Sequence, residues 1–409
     1  MEGVDNMSSR YDSRVLGKNF YVSNDTSITA GNANDVIIGA SGSGKTGSIL
    51  YPTLKMMKNE SFILVDSKGL LSKMFKAELE EKGYDVKVIS FIHPEGGVGY
   101  NPLNYIRRHE NGDIRYQDVV TLSRALVPNL DKSEPIWEEC ATNILQFLIS
   151  FCLEKLEEAD WNMTSVVNLY HVLIKPNGIE YFLDELGDSD SFALKKLLEI
   201  QAYRDANKMY LSVLGFVNIA LSYFSYPEIQ RMLSNQDCID LYAVGQRKTA
   251  IFVQVSDVDR TYDTLVNVFI TQALKVLVEE ADMNADGKLL VPTRFFLDDM
   301  AANCSIPDFD KTISVIRSRD IFASIFLQSV TQLYSKYSEY EAMTIISNCD
   351  HVVYMNTNDV GSAEYICNRA QKTMESVLNL DRSKEYILIA GEKALCIDKH
   401  PPYNDLCFE

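Results

Sequence analysis

The chain has 409 residues, 46% of them hydrophobic and 23% charged, with a formal net charge of −18. These proportions exclude a disordered or fibrous chain and fit a folded protein with room for two or three domains. The acidic balance argues against bulk nucleic-acid binding, whose footprint is basic, although a local basic strip would escape the count.

The opening MEGVDNMSSRYDSR is polar and lacks the apolar core of a secretory leader. Short β-rich runs then alternate with amphipathic stretches: VII at 36–38, SFILVD at 61–66 and DVKVISF at 85–91. That rhythm predicts a parallel sheet covered by helices. From about 114 onward the period changes to 3.6, as in IWEECATNILQFLISFCLEKL at 136–156 and SFALKKLLEI at 191–200. Within this region, MYLSVLGFVNIALSYFSY at 209–226 carries no charge and is long enough to nominate a membrane span. Its serines, asparagine and glycine make it only modestly hydrophobic, so a buried helix is expected instead. Strand signals return with TAIFVQV (249–255), RFFLD (294–298), FASIFLQ (322–328), HVVYM (351–355) and EYILIA (385–390). The expected architecture is α/β, a mostly parallel sheet flanked by helices. Its nucleotide-binding domain occupies 1–113 and 236–409, and an all-α domain is inserted at 114–235.

The stretch VIIGASGSGKTG at 36–47 satisfies two phosphate-binding fingerprints. Gly42, Gly44 and Gly47 spell the dinucleotide signature G-x-G-x-x-G, and Asp66 ends a strand about 20 residues later, where a ribose-binding acid belongs. Gly39, Gly44, Lys45 and Thr46 spell the P-loop G-x-x-x-x-G-K-[ST]. The P-loop reading is favoured for three reasons. Gly39 has the P-loop spacing. Lys45 offers an ammonium for the β/γ-phosphates and Thr46 a hydroxyl for Mg²⁺. FFLDD supplies the second acid at the end of another apolar strand, with Asp298 for the metal and Asp299 to polarise an attacking water. The backbone amides of Gly39, Ala40, Ser41, Gly42, Ser43, Gly44, Lys45, Thr46 and Gly47 form the cradle, at the positive end of the following helix. Taken alone, Asp298-Asp299 is equally compatible with a helix N-cap after a strand.

With these motifs in place, the chain resembles the coupling ATPases of type IV secretion and conjugation, the TraG/TraD-like group of RecA/FtsK-like P-loop motors. The resemblance is carried by GNANDVIIGASGSGKT (31–46), FILVDSKG (62–69), YNPLNYI (100–106), IWEECATNIL (136–145) and KTAIFVQVSD (248–257). It continues through 295–333, SNCDHVVYMNTND (347–359) and ILIAGEKA (387–394). It implies a RecA-like P-loop NTPase core assembling as a hexamer, with ATP and Mg²⁺ at subunit boundaries. Gln328 matches the family's glutamine near the γ-phosphate, and Arg317 matches the arginine reaching a neighbouring subunit's nucleotide, with Arg319 as the fallback. The implied partners are membrane components of a type IV secretion system, and the implied cargo is relaxase-bound single-stranded DNA or an effector protein. The acidic charge tilts the cargo toward protein or a relaxase.

Departures from the family pattern qualify this expectation. Relatives mostly carry Asp-Glu where this chain has Asp298-Asp299, and the shorter carboxylate predicts slow hydrolysis, or an adaptor that binds ATP with little turnover. Ser67 replaces the usual proline in FILVDSKG. No transmembrane helices precede the P-loop and the extended tail of relatives is missing. The expectation is therefore a cytoplasmic chain, peripheral at the inner face of the plasma membrane and recruited by a membrane partner, or else a fragment. An FtsK-like DNA translocase and, more remotely, a dinucleotide-dependent oxidoreductase are the alternatives. The eight cysteines contain no C-x-x-C pair and the five histidines no metal spacing, which argues for reduced thiols and against zinc. DMNADG at 282–287 begins like a calcium loop but has Thr293 at its twelfth position and Pro292 before it, so a surface turn is expected. Trp137 is expected to anchor the helical core.

Overall fold

The structure is a computed structural model describing residues 10–127, 136–187, 190–204, 207–300 and 305–403. Cys304, Cys407 and the first nine residues of the polar opening lie outside the described residues. Close packing divides the chain into two compact units. One comprises 1–88, 240–260 and 274–409, and the other 89–239 and 261–273.

The first unit is built on strands too apolar to face water on either side. Every residue of Thr293–Leu297 and of Ile321–Leu327 is buried. Such runs are stable only where helices cover both faces of a sheet. The strands in chain order are β1 (Ser13–Gly17), β2 (Phe20–Ser23), β3 (Asp35–Ile38), β4 (Ser61–Ser67), β5 (Asp85–Ser90), β6 (Thr249–Val255), β7 (Thr293–Leu297), β8 (Ile321–Leu327), β9 (His351–Tyr354), β10 (Lys384–Ile389) and β11 (Leu395–Asp398). Nine of them form one sheet in the order β11-β10-β9-β3-β8-β7-β4-β6-β5. From β9 through β6 the neighbours are parallel. The β9 side ends in two antiparallel strands, β10 and β11. The sheet is thus the mostly parallel one expected, with β8 lying between β3 and β7.

Aromatic rings from three neighbouring strands fill one face, with Phe62 meeting Phe252 at 5.5 Å and Phe296 at 6.0 Å, edge to face. That geometry suits the ring quadrupole. Strands β1 and β2 form a separate hairpin that no sequence signal had suggested. Arg14, on β1, donates from Nε to Asp35 of β3 at 2.7 Å and from Nη1 to Asn24 at 2.9 Å. Arg294 of β7 reaches the same Asp35 at 3.5 Å, Ser324 of β8 at 3.0 Å and Asn24 at 2.9 Å. Asn24 in turn donates to Glu60 at 2.8 Å. Both guanidiniums are fully buried, a placement that only paired and hydrogen-bonded charges tolerate. Burial pushes the Glu60 carboxyl up to about 7, against the pull of Arg294.

The second unit is helical. Its axis is the helix Ile136–Lys155, buried almost all round from Cys140 to Leu153, as a helix apolar on every face must be. Phe147 and Phe151 meet Phe182 edge to face at 5.0 Å and 4.8 Å. Trp137 is only half-buried, in the first turn of that helix, so the phenylalanines anchor the core instead. The uncharged stretch forms the helix Asn207–Ser222 and a short turn to Ser225. It is amphipathic rather than wholly buried: Val213 and Val217 are inside, whereas Leu211 is 61% and Ile219 45% exposed. Among the described residues no single helix is long and apolar enough to cross a membrane. The bent pair Met209–Ser225 and Pro227–Ser234, at 70°, qualifies by length and composition only.

Candidate functional site

In a parallel sheet the loops leaving the carboxyl ends of the strands share one edge, where ligands bind in open α/β folds. The loop after β3 is hung between its two neighbours. The Gly39 amide donates to the Leu327 carbonyl of β8, and the Ala40 amide to the Asn356 carbonyl just beyond β9, both at 3.0 Å. Gly42 and Gly44 turn the chain with φ of +77° and +100°, values that side chains rarely permit. Ser41 and Gly42 form the exposed crown, while Gly47 is buried at the exit. The chain then enters a wide, π-type turn, Thr46–Leu50, and the helix Tyr51–Met56. Pro52 accounts for the widening, because it has no N–H to return to the Ser48 carbonyl.

Lys45 is 7% exposed. Its ammonium donates to the loop's own carbonyls, Gly39 at 2.6 Å and Ala40 at 3.3 Å. Burial lowers its pKa, and the charges of Asp299 and Asp298 oppose that shift. Thr46 Oγ1 lies 3.5 Å from Asp298 Oδ2, the outer limit of a hydrogen bond. Burial, with Asp299 beside it, pushes the Asp298 carboxyl up to about 7, and Lys45 pulls it back. Asp299 has a left-handed backbone, φ +48°, and one buried carboxylate oxygen without a hydrogen-bond partner. Such a conformation costs on the order of 1 kcal/mol in a non-glycine residue and clusters at functional sites. Ser43 Oγ and Ser48 Oγ are also buried and unpartnered.

Loop, ammonium and both aspartates are therefore brought together. A hydroxyl and a carboxylate are hard oxygen donors of the kind Mg²⁺ takes, and the unpartnered Asp299 oxygen and serine hydroxyls provide further polar groups beside them. The donor set fits a magnesium–phosphate group. Gln328 follows β8 directly, one residue after the carbonyl that holds Gly39, and so lies on the same edge.

Arg317 is not part of this cluster. It opens the turn Arg317–Arg319 before β8, at the amino edge of the sheet, where its side chain is exposed. Arg319 is committed elsewhere: its guanidinium grips Asp282 at 2.8 and 3.1 Å and donates to the Val315 carbonyl at 2.9 Å. The same pair ties up the first acid of the DMNADG turn. Asp66, the candidate ribose acid, is fully buried and accepts from the amides of Leu71 at 3.2 Å and Ser72 at 2.9 Å, starting the helix Leu70–Glu81. It is a structural cap, which removes the support for a dinucleotide site. Residues that sequence reasoning missed include Asn356 and Lys399, the latter donating to the Ser43 carbonyl at 2.8 Å. No local motif marks either one, because their role is set by strand order.

A family model for type IV secretory system conjugative DNA transfer matches residues 2–376. The chain belongs to that family. Conjugal transfer protein TraG of Rhizobium radiobacter is 21% identical over 86% of this chain and 54% of its own, so the chain spans about half the length of this curated relative. Among solved structures, the conjugative coupling protein TrwBΔN70 in an unbound form aligns with a TM-score of 0.70 at 14% identity, covering 90% of this chain and 84% of that one. TrwB in complex with ADP and Mg²⁺ aligns at 0.67 and 14% identity, covering 90% and 85%. VirB4 of Thermoanaerobacter pseudethanolicus aligns at 0.59 and 14% identity over 98% of both chains. These likenesses establish the RecA-like P-loop fold.

Proposed function

We propose that the chain is an ATP-dependent coupling motor that delivers relaxase-bound DNA or a protein substrate to a type IV secretion channel. The observation carrying this reading is the convergence of Lys45, Thr46, Asp298 and Asp299 on one sheet edge. In it, the loop amides of residues 39–47 bind the phosphates and Lys45 exchanges its carbonyl partners for β/γ-phosphate oxygens. Thr46 and Asp298 hold Mg²⁺, which when bound neutralises charge on those oxygens. Asp299 orients the attacking water and Gln328 senses the terminal phosphate. Arg317, exposed and at the far edge, serves the nucleotide of the next copy in a ring of six. The ring sits at the inner face of the plasma membrane against components of the channel, and the segment 114–235 acts as its inserted helical domain. TrwB in complex with ADP and Mg²⁺ supports the choice of nucleotide and metal.

The second reading, an ATP-binding adaptor with little turnover, is favoured by Asp299, one methylene shorter than the usual glutamate. Phosphate release with and without single-stranded DNA separates the two. A motor loses turnover in Lys45→Ala. An adaptor shows turnover only once Asp299→Glu restores the reach. Turnover unaffected by Lys45→Ala overturns both.

A further inference from the structure

The phosphate loop is also held from the far end of the chain. Lys399, directly after β11, donates to the carbonyls of Ser43 at 2.8 Å and Met355 at 3.3 Å. Four residues on, the Tyr403 amide donates to the Gly47 carbonyl at 3.0 Å. The strap 399–403 is thereby fixed at both ends of the loop's second half. The approach at Gly47 is close: a Cβ there would lie 2.9 Å from Pro402 and 2.9 Å from the Tyr403 ring. The Tyr403 ring is braced edge to face by Tyr51, with centroids 5.5 Å apart, yet the residue remains 54% exposed. Its backbone is left-handed, φ +56°, which an aromatic residue adopts only when its surroundings impose it.

The order of phosphates along such a loop follows from its chemistry. Lys45 takes the terminal phosphates and the amides take the inner ones. The nucleoside therefore leaves at the Gly47 exit, where the braced ring stands. We propose that Tyr403 is the stacking platform for the base of a bound purine nucleotide. The proposal rests on the nucleotide reading above and adds a base subsite to it. Stacking of this kind needs only a π-face, so the platform tolerates either purine.

The test compares a ligand with a base and one without. ADP and inorganic tripolyphosphate, each with Mg²⁺, are titrated calorimetrically into the chain and into Tyr403→Ala, Tyr403→Phe and Lys45→Ala. Tyr403→Ala is expected to weaken ADP about tenfold, the scale of one base–aromatic stack, and to leave tripolyphosphate unchanged. Tyr403→Phe keeps the ring and binds both as the parent does. Equal weakening of both ligands by Tyr403→Ala overturns the proposal, since the residue then acts only through the loop. Undiminished ADP binding also overturns it. If the parent binds neither ligand, or Lys45→Ala weakens neither, the nucleotide reading itself falls and the subsite with it. Unchanged melting temperatures of the two Tyr403 variants separate a lost stack from a lost fold.

Discussion

A charged side chain inside a protein must be answered by something, and the answers differ among the residues of this sheet edge. Lys45 is answered by two backbone carbonyls and two aspartates, Asp66 by two amides, and Asp299 only in part. Lys45, Thr46 and the aspartate pair were legible in the sequence because P-loop chemistry demands those residue types at fixed spacing. Lys399 and Tyr403 were not, because no local pattern reaches so far along the chain.

 Lys399 meets the Ser43 carbonyl across 356 positions of sequence, and only the fold brings the two together.

Glu385 is a carboxyl with no hydrogen-bond partner for either oxygen, both buried. Burial pushes it up to about 8, with Lys399 pulling the other way. The folded chain therefore keeps a proton that the unfolded chain releases near pH 4.5, so this residue subtracts stability as pH rises between those values and no further above about 8. Glu385→Gln is expected to melt with the parent at pH 4 and several degrees above it at pH 8.5. A difference that does not vary with pH would count against this account.

Among the elements, the central strands were the most legible. β6 matches the predicted run at 249–255, and β4, β7, β8, β9 and β10 lie within a residue or so of theirs, because continuous apolar runs leave little choice. The β1–β2 hairpin escaped notice. Its strands are short and pair with a register shift, and its turn at Asn19, φ +56°, lacks the Asn-Gly signature. Its attachment through Arg14 to Asp35 and through Asn24 to Arg294 depends on a buried network no periodicity reveals. Removing one member of such a network leaves the others buried and uncompensated. Asp35→Asn is accordingly expected to cost about 3 to 5 kcal/mol, read as a lower denaturant midpoint. A loss below about 1 kcal/mol, the worth of an exposed pair, would show that the network carries little.

At the scale of the whole molecule, the two arginines of the IRSRD segment have different surroundings. Arg319 is spent on Asp282, whereas Arg317 is exposed and lies at the edge opposite the phosphate loop. If it serves a neighbouring copy, Arg317→Ala should bind nucleotide as the parent does and lose about a thousandfold in turnover. Mixing it with Lys45→Ala should then recover part of the activity, because each supplies the half of a shared site that the other lacks. No recovery from a mixture shown to co-assemble would assign Arg317 to its own subunit or to none. The uncharged stretch at 209–226, expected as a buried helix, buries one face and exposes the other, because a stretch without charge gives no sign of which face meets water.

The sheet itself ends at β11, four residues long, whose last carbonyl, that of Asp398, already accepts the Lys18 amide from the turn between β1 and β2. An open strand is a template on which further chains can polymerise, and a short, capped one is a poor template. Fibril growth from this margin is thereby discouraged, which leaves the hydrogen-bonding groups of the sheet closed to a second chain on that side.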